Sequence, residues 1–157
     1  MQIKTEIKWA AMLWMATLLW MVFEKGMGWH SSQISKHALF TNLYDIGFIA
    51  FFVFALKDKR TSDYGGKMDW KQGFVSGLVI TILMTAISPL TQFIIHRIIS
   101  PEFFPNMIQY AVENGFLGQE QAESTFNLKS YILQNLFGTM TLGVVASAIG
   151  AYFTKKA

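Results

Sequence analysis

Two long stretches without a charged side chain constrain this sequence more than any other feature. Residues 73–95 form an uncharged run of 23 residues, and residues 130–154 form another of 25. Because an α-helix rises about 1.5 Å per residue, roughly 20 apolar residues cross the hydrocarbon core of a bilayer. Both runs therefore predict membrane-spanning helices, and they indicate an integral membrane protein.

Two further apolar segments precede these runs, at about residues 7–25 and 38–56. The charge-free part of the first covers only residues 9–23 and follows Lys4 and Lys8, as in the apolar region of a signal peptide. A small-residue cleavage pattern is missing, however, and more spans follow. We therefore interpret the first segment as an uncleaved helix.

The four segments predict an all-α bundle of four transmembrane helices in a single domain of 157 residues, with spans at about 7–25, 38–56, 73–99 and 130–154. Lipid cannot hydrogen-bond the backbone, so only helices and closed barrels span it, and continuous apolar runs exclude a barrel. Residues 100–129 predict an outer amphipathic segment. Its first helix begins at Ser100 or at Pro105, and residues 119–126 form a second short helix. The segment either covers the bundle surface or forms a lid over a cavity.

Basic residues are distributed unevenly between the two ends of the predicted bundle. Nine lie on the side of both termini and the loop 57–72, and four lie on the other side. The positive-inside rule then places both termini in the cytoplasm, which predicts a bacterial inner-membrane protein. The nine are Lys4, Lys8, Lys57, Lys59, Arg60, Lys67, Lys71, Lys155 and Lys156, and the four are Lys25, Lys36, Arg97 and Lys129.

Small residues recur at every fourth position on the third and fourth spans. The third carries Gly73, Gly77 and Thr81, and the fourth carries Gly143 and Ser147. Small side chains let helix backbones approach closely in lipid, where no hydrophobic force drives helices together. We expect these two spans to pack against each other, and the alternative is that one row forms a homodimer face.

Asp45 is the one carboxylate clearly inside an apolar stretch, and an ionisable residue there is a functional-site hypothesis. If the second helix starts near Ser35, Asp45 lies about ten residues, or roughly 15 Å, inside it. If the helix starts at Thr41, Asp45 lies in the first turn at the membrane boundary. The candidate partners are Lys36, His37, Gln92 and His96.

The three histidines, His30, His37 and His96, all fall on the predicted outer side, as does Glu24. Imidazole and carboxylate groups bind zinc, but no pair here has the helical spacing of metal ligands. We therefore expect no metal and no cofactor, with the histidines interfacial and partly solvated. The chain also contains no cysteine, which excludes disulfides, thiolate metal sites and a cysteine nucleophile.

The sequence leaves three functional classes open. No catalytic motif is present, so the leading hypothesis is a non-enzymatic accessory or interaction subunit of a larger membrane complex. A small transporter or ligand-binding bundle is the alternative, with Asp45, Gln92 and His96 at a cavity and Pro89 as a hinge; otherwise Pro89 only kinks its helix. Nucleic-acid binding is not supported, because basic residues are few.

A membrane enzyme acting on lipid or envelope precursors is the third class. It requires Glu24, His30 and Glu102 to meet in one outer pocket, where they would lie within hydrogen-bond reach of a substrate.

Four short motifs resemble an uncharacterised family of four-span membrane proteins, recorded as a domain of unknown function and typical of Bacteroidetes. They are residues 23–30 (FEKGMGWH), 41–43 (TNL), 73–77 (GFVSG) and 99–104 (ISPEFF). The resemblance covers nearly the whole chain and implies a cytoplasmic-membrane protein with four helices. The family provides no established activity to carry over, but it draws attention to Glu24, His30 and Asn42.

Overall fold

The computed structural model describes residues 3–156. That part of the chain is predominantly helical and contains no strands, only one isolated β-bridge, between Met68 and Lys156. The all-α prediction is therefore confirmed. The helices are α1 (Lys4–Gly26), α2 (His37–Asp63), α3 (Trp70–Ile94), α4 (Phe103–Glu113), α5 (Gln119–Thr125) and α6 (Leu128–Thr154). A 3-10 turn (Ile34–Lys36) leads into α2, and a π-helical turn (Ile95–Ile99) extends α3.

Four of these helices, α1, α2, α3 and α6, are long and apolar enough to cross a membrane. They correspond to the four predicted spans, and they pack against one another. Large apolar side chains lie exposed on the outside of the bundle, as expected for surfaces that face lipid rather than water. Examples are Leu19, Ile46, Ile82, Phe137 and Phe153.

The second helix runs further than its apolar segment predicts. It ends at Asp63 instead of near residue 56, so Lys59 and Arg60 belong to a helix and not to a basic loop. Partners from other helices hold this charged turn. The Lys59 ammonium contacts the Glu6 carboxylate, and Arg60 Nη1 donates to the Thr154 carbonyl at 2.8 Å.

The rows of small residues on α3 and α6 face each other, and these two helices make the most extensive contact in the bundle. A Cβ atom added at Gly143 would lie 2.5 Å from Thr81 Oγ1, so the Gly143 backbone packs directly against the Thr81 side chain. The hydroxyl of Thr81 donates to the Gly77 carbonyl, and that of Ser147 donates to the Gly143 carbonyl. Both hydroxyls thus donate within their own helix, and their oxygens also lie 3.4 Å apart across the interface.

The outer segment forms α4 and α5, but α4 begins at Phe103 and not at Ser100 or Pro105. Ser100 is fully buried, and its hydroxyl bonds to the imidazole of His30 instead of capping the helix. Pro105 lies in the first turn of α4, where its missing N–H costs no hydrogen bond. Gly115 follows the helix with a φ of 68°, a left-handed backbone conformation in which many helices end.

Candidate functional site

A cavity of about 440 Å³ lies between the four spans. Its apolar end is formed by Phe48, Met84 and Leu142, which also belong to or pack against the core of the bundle. Its other end is polar and includes His37 and His96, close to the start of α4. The bundle therefore contains a partly open cavity that is apolar at one end and rich in hydrogen-bonding groups at the other.

The side chains that line this cavity follow helical spacing on each span. On α3 they include Ser88, Thr91 and Gln92, and His96 follows in the π-helical turn. Pro89, the proposed hinge, lies inside α3 directly after Ser88. On α6 they include Tyr131, Gln134, Asn135 and Thr139. The sequence patterns above do not identify these α6 residues as site residues. Their spacing offers a signal, however, because Tyr131, Asn135 and Thr139 recur at every fourth position and so share one helical face within an uncharged run.

Asp45 lies in the cavity wall. Helix α2 begins at His37, so Asp45 is eight residues, or about 12 Å, inside it and not in the first turn. The side chain is half-buried and forms no hydrogen bond or ion pair with other residues in the range 3–156. Gln92 and His96, named as its candidate partners, line the same cavity without bonding to it directly.

His96 is buried against the aromatic residues at the polar end of the cavity. Its Nε2 lies 3.1 Å from Gln92 Oε1, while its Nδ1 has no hydrogen-bond partner in the described part of the chain. The ring stacks on Phe104 at 4.2 Å and contacts Phe103 at 5.1 Å. His96 is thus positioned by its neighbours and keeps one nitrogen available.

A second polar cluster adjoins the cavity and contains Glu24, His30 and His37. The Glu24 carboxylate is fully buried, and its Oε2 lies 3.1 Å from both His30 Nε2 and His37 Nδ1. One ligand-type atom from each of the three residues lies within 4.8 Å of the others. His30 and His37 also line the cavity, so this cluster forms part of its wall.

A tight turn after α1 brings these three residues together. Gly28 has a φ of 77°, a backbone conformation that glycine adopts more easily than other residues. The chain reverses at this residue, and the Trp29 N–H donates to the Glu24 carbonyl. His30 then lies back over the end of α1. The 3-10 turn that follows ends where α2 begins, so that His37 points at the same carboxylate.

Neighbouring polar groups fix the orientation of the cluster. Trp20 Nε1 donates to Glu24 Oε1 at 2.6 Å, and His30 Nδ1 lies 2.6 Å from Ser100 Oγ. Asn106 of α4 donates to the carbonyl of His30 at 2.9 Å. The outer segment therefore holds one wall of the site in place.

The expectation that the histidines are interfacial and partly solvated is wrong for two of them. His30 and His96 are 1% and 6% exposed, so they are buried and not interfacial, because Phe103 at the start of α4 packs against both rings. Glu102 does not join Glu24 and His30, since it is partly exposed and lies 3.7 Å from Lys25. Glu102 is therefore outside the close cluster of Glu24, His30 and His37.

Comparison with known proteins places the chain in a family without giving it an activity. No curated protein and no solved structure shows a significant match to it. A family model matches residues 8–156, a range that includes the cavity, the Glu24 cluster and all of the four spans except the first residues of α1. This confirms the resemblance to an uncharacterised family. The chain belongs to the family described as protein of unknown function (DUF4199).

Proposed function

We propose that this protein is a membrane-embedded binding protein whose four spans enclose a site for a small polar or amphiphilic molecule. The observation that carries the proposal is the convergence of Asp45, Gln92 and His96, from two spans, on one cavity of about 440 Å³. Ligand sites typically have volumes of roughly 300–1,000 Å³. Polar residues inside a bundle are costly in lipid and are retained where they serve a pathway or a ligand.

The lining indicates the chemistry of the ligand. The half-buried Asp45 carboxylate faces the cavity and suits a cationic or hydrogen-bond-donating group. The side-chain amides of Gln134 and Asn135 offer both donors and acceptors, and the opposite end presents Phe48 and Met84. These features fit a molecule with one polar end and one apolar end.

A bacterial inner-membrane location with both termini in the cytoplasm is part of this proposal. It is supported by the nine basic residues on the terminal side against four on the other. In this orientation the polar end of the cavity, α4 and α5 lie on the outer side. The ligand would then enter from outside or from the outer leaflet.

Binding without catalysis is the role we favour. The chain lacks a catalytic motif, and Glu102, which the enzyme hypothesis needs, pairs with Lys25 outside the cavity wall. Ser100, His30 and Glu24 do form a hydroxyl–imidazole–carboxylate series, but Ser100 is fully buried and does not line the cavity, so its hydroxyl is not placed to reach a bound molecule.

Purification of the full chain in mild detergent, followed by native mass spectrometry, tests the proposal. Two glycines provide a test variant and its control. A Cβ at Gly138 or at Gly47 would meet no atom within 4 Å, but only Gly138 lines the cavity, so leucine should fill the cavity at Gly138 and not at Gly47. We expect wild type and Gly47→Leu to retain a small molecule and Gly138→Leu to lose most of it. Equal retention by both variants, or a wild-type protein without any bound molecule, would contradict the proposal.

The same purification tests the alternative role as an accessory subunit or a homodimer. Co-purification with a larger complex at fixed stoichiometry would support the accessory role, which works through the outer faces of the helices. A monomer carrying a bound small molecule would contradict it.

A further inference from the structure

We propose that Glu24, His30 and His37 bind a divalent transition-metal ion, and that zinc fits this set of donors best. The site deepens the proposed binding function, on which its connection to the cavity rests, because His30 and His37 belong to both. Local sequence spacing does not predict it, since the three ligands come from the end of α1, the turn that follows and the first residue of α2.

The distances between the donor atoms fit a small metal ion. Around an ion with bonds of about 2.1 Å, two ligands of a tetrahedron lie about 3.4 Å apart. Glu24 Oε2 lies 3.1 Å from His30 Nε2 and 3.1 Å from His37 Nδ1, and one ligand atom from each of the three residues lies within 4.8 Å of the others. Only small side-chain movements are needed to place an ion between them.

His37 provides an independent indication. Its Nδ1 is buried and close to Glu24 Oε2, yet it has no hydrogen bond of acceptable geometry within the described residues. A buried ring nitrogen without a hydrogen bond is costly. A metal ion bound to this nitrogen and to the carboxylate would satisfy both groups.

The charge of Glu24 points the same way. Buried carboxylates are normally paired with a cation or bound to a metal. Glu24 is 0% exposed, and no lysine or arginine of residues 3–156 forms an ion pair with it. A divalent cation would provide the missing positive charge.

The atoms that would not bind the ion are held by other groups, as is usual around metal sites. Ser100 Oγ contacts His30 Nδ1 at 2.6 Å, and Trp20 donates to Glu24 Oε1. The Thr41 hydroxyl lies 3.5 Å from His37 Nε2. Each ligand therefore presents its remaining atom, His30 Nε2, His37 Nδ1 or Glu24 Oε2, to the centre of the cluster.

The donor types select the class of ion. Two imidazoles and one carboxylate suit zinc and related transition metals, whereas magnesium and calcium prefer oxygen ligands. Three protein ligands leave a fourth position for water or another ligand. Because two of the ligands line the cavity, that position would face the cavity, where an oxygen atom of the bound molecule could occupy it.

Zinc binding by the purified full-length protein tests the site. The protein should carry an affinity tag without histidine, be treated with a chelator, dialysed, reloaded with ZnCl₂ and measured by elemental analysis. Glu24→Gln, His30→Gln and His37→Gln each remove one ligand while keeping a polar side chain. His96→Gln is the matched control, because His96 is also a buried cavity histidine but lies outside the cluster.

We expect wild type and His96→Gln to bind one zinc ion per chain, and each ligand variant to bind at least about tenfold more weakly. Absence of zinc binding by wild type, or an equal loss in His96→Gln, would overturn the proposal. If a buried-ligand variant does not fold, His37→Gln, whose side chain is 18% exposed, and the visible spectrum of Co²⁺-loaded wild type decide the question. An octahedral, purely oxygen-ligated Co²⁺ spectrum would also overturn it.

The outcome can be separated from that of the proposed binding function. If zinc does not bind but Gly138→Leu still displaces a retained molecule, only the metal site fails. If zinc binds as expected while no small molecule is retained by any variant, the metal site stands and the proposed ligand cavity fails.

Discussion

A Cβ atom added at Gly77 would lie 2.6 Å from the Cβ of Ser147, which is closer than carbon atoms approach without repulsion. Helices α3 and α6 therefore meet backbone to backbone at this point. We expect Gly77→Ala to destabilise the protein by about 1–3 kcal/mol, as other overpacked sites do. Reversible unfolding in mixed detergent micelles measures the change.

Gly47→Ala is the control for this prediction, because nothing lies within 4 Å of a Cβ at that position. Alanine also favours a helix over glycine, so this variant should be neutral or slightly more stable. If Gly77→Ala were as stable as Gly47→Ala, this result would contradict the close contact between α3 and α6.

At the end of the bundle that carries both termini, Lys59 Nζ lies 3.0 Å from the Glu6 carboxylate, and the two residues are 2% and 1% exposed. Lys59→Met leaves the Glu6 carboxylate buried without this cation, and removal of one partner of a buried pair costs roughly 3–5 kcal/mol. Glu6→Gln should cost less, because Asp63 still contacts Lys59. The free energies of unfolding of both single variants and of the double variant show which substitution costs more.

This ordering is specific to the arrangement of the three charges. The double variant should recover part of the loss of Lys59→Met, since it buries no uncompensated carboxylate. An equal effect of the two single substitutions, or additivity in the double variant, would count against a coupled buried pair.

The long-range features of this fold follow from simple sequence patterns. The absence of charge over residues 73–95 and 130–154 gives the spans, because lipid excludes charged side chains over a fixed thickness. The small residues on α3 and α6 mark the faces that meet, since only small side chains permit backbone contact. Both patterns repeat over several helical turns, and for that reason they predict the spans and their contact from the sequence alone.

The candidate site depends on single events that do not repeat. Glu24 and His30 meet because one glycine, Gly28, takes a positive φ, and His37 joins them because α2 begins there and not four residues later. Periodicity contains no information on such a turn. The depth of Asp45 was open for the same reason, since it depends on the first residue of α2.

Ser100 gives a test of how the cluster is held. Its hydroxyl lies 2.6 Å from His30 Nδ1 and fixes the orientation of the ring. If the cluster binds zinc, Ser100→Ala should weaken binding by about tenfold or more without removing a ligand, as loss of such supporting groups does elsewhere. Competition with a chromogenic zinc chelator measures the affinity.

Ser31→Ala is a suitable control, because Ser31 is exposed and its hydroxyl contacts only the Gly28 carbonyl, at 3.5 Å. It should bind zinc as wild type does. An unchanged affinity in Ser100→Ala would show that this hydroxyl does not position His30.

The proposed orientation can be tested directly, since the chain has no cysteine and any introduced thiol is unique. Lys67 and Gln121 are both exposed, the first between α2 and α3 and the second in α5, at opposite ends of the bundle. The reagent is a membrane-impermeant maleimide added to spheroplasts, in which the outer membrane is removed and the inner membrane is intact. With the termini in the cytoplasm, it should label Gln121→Cys at once and Lys67→Cys only after the inner membrane is permeabilised. The reverse pattern would place the polar end of the cavity in the cytoplasm and would reject entry of the ligand from outside.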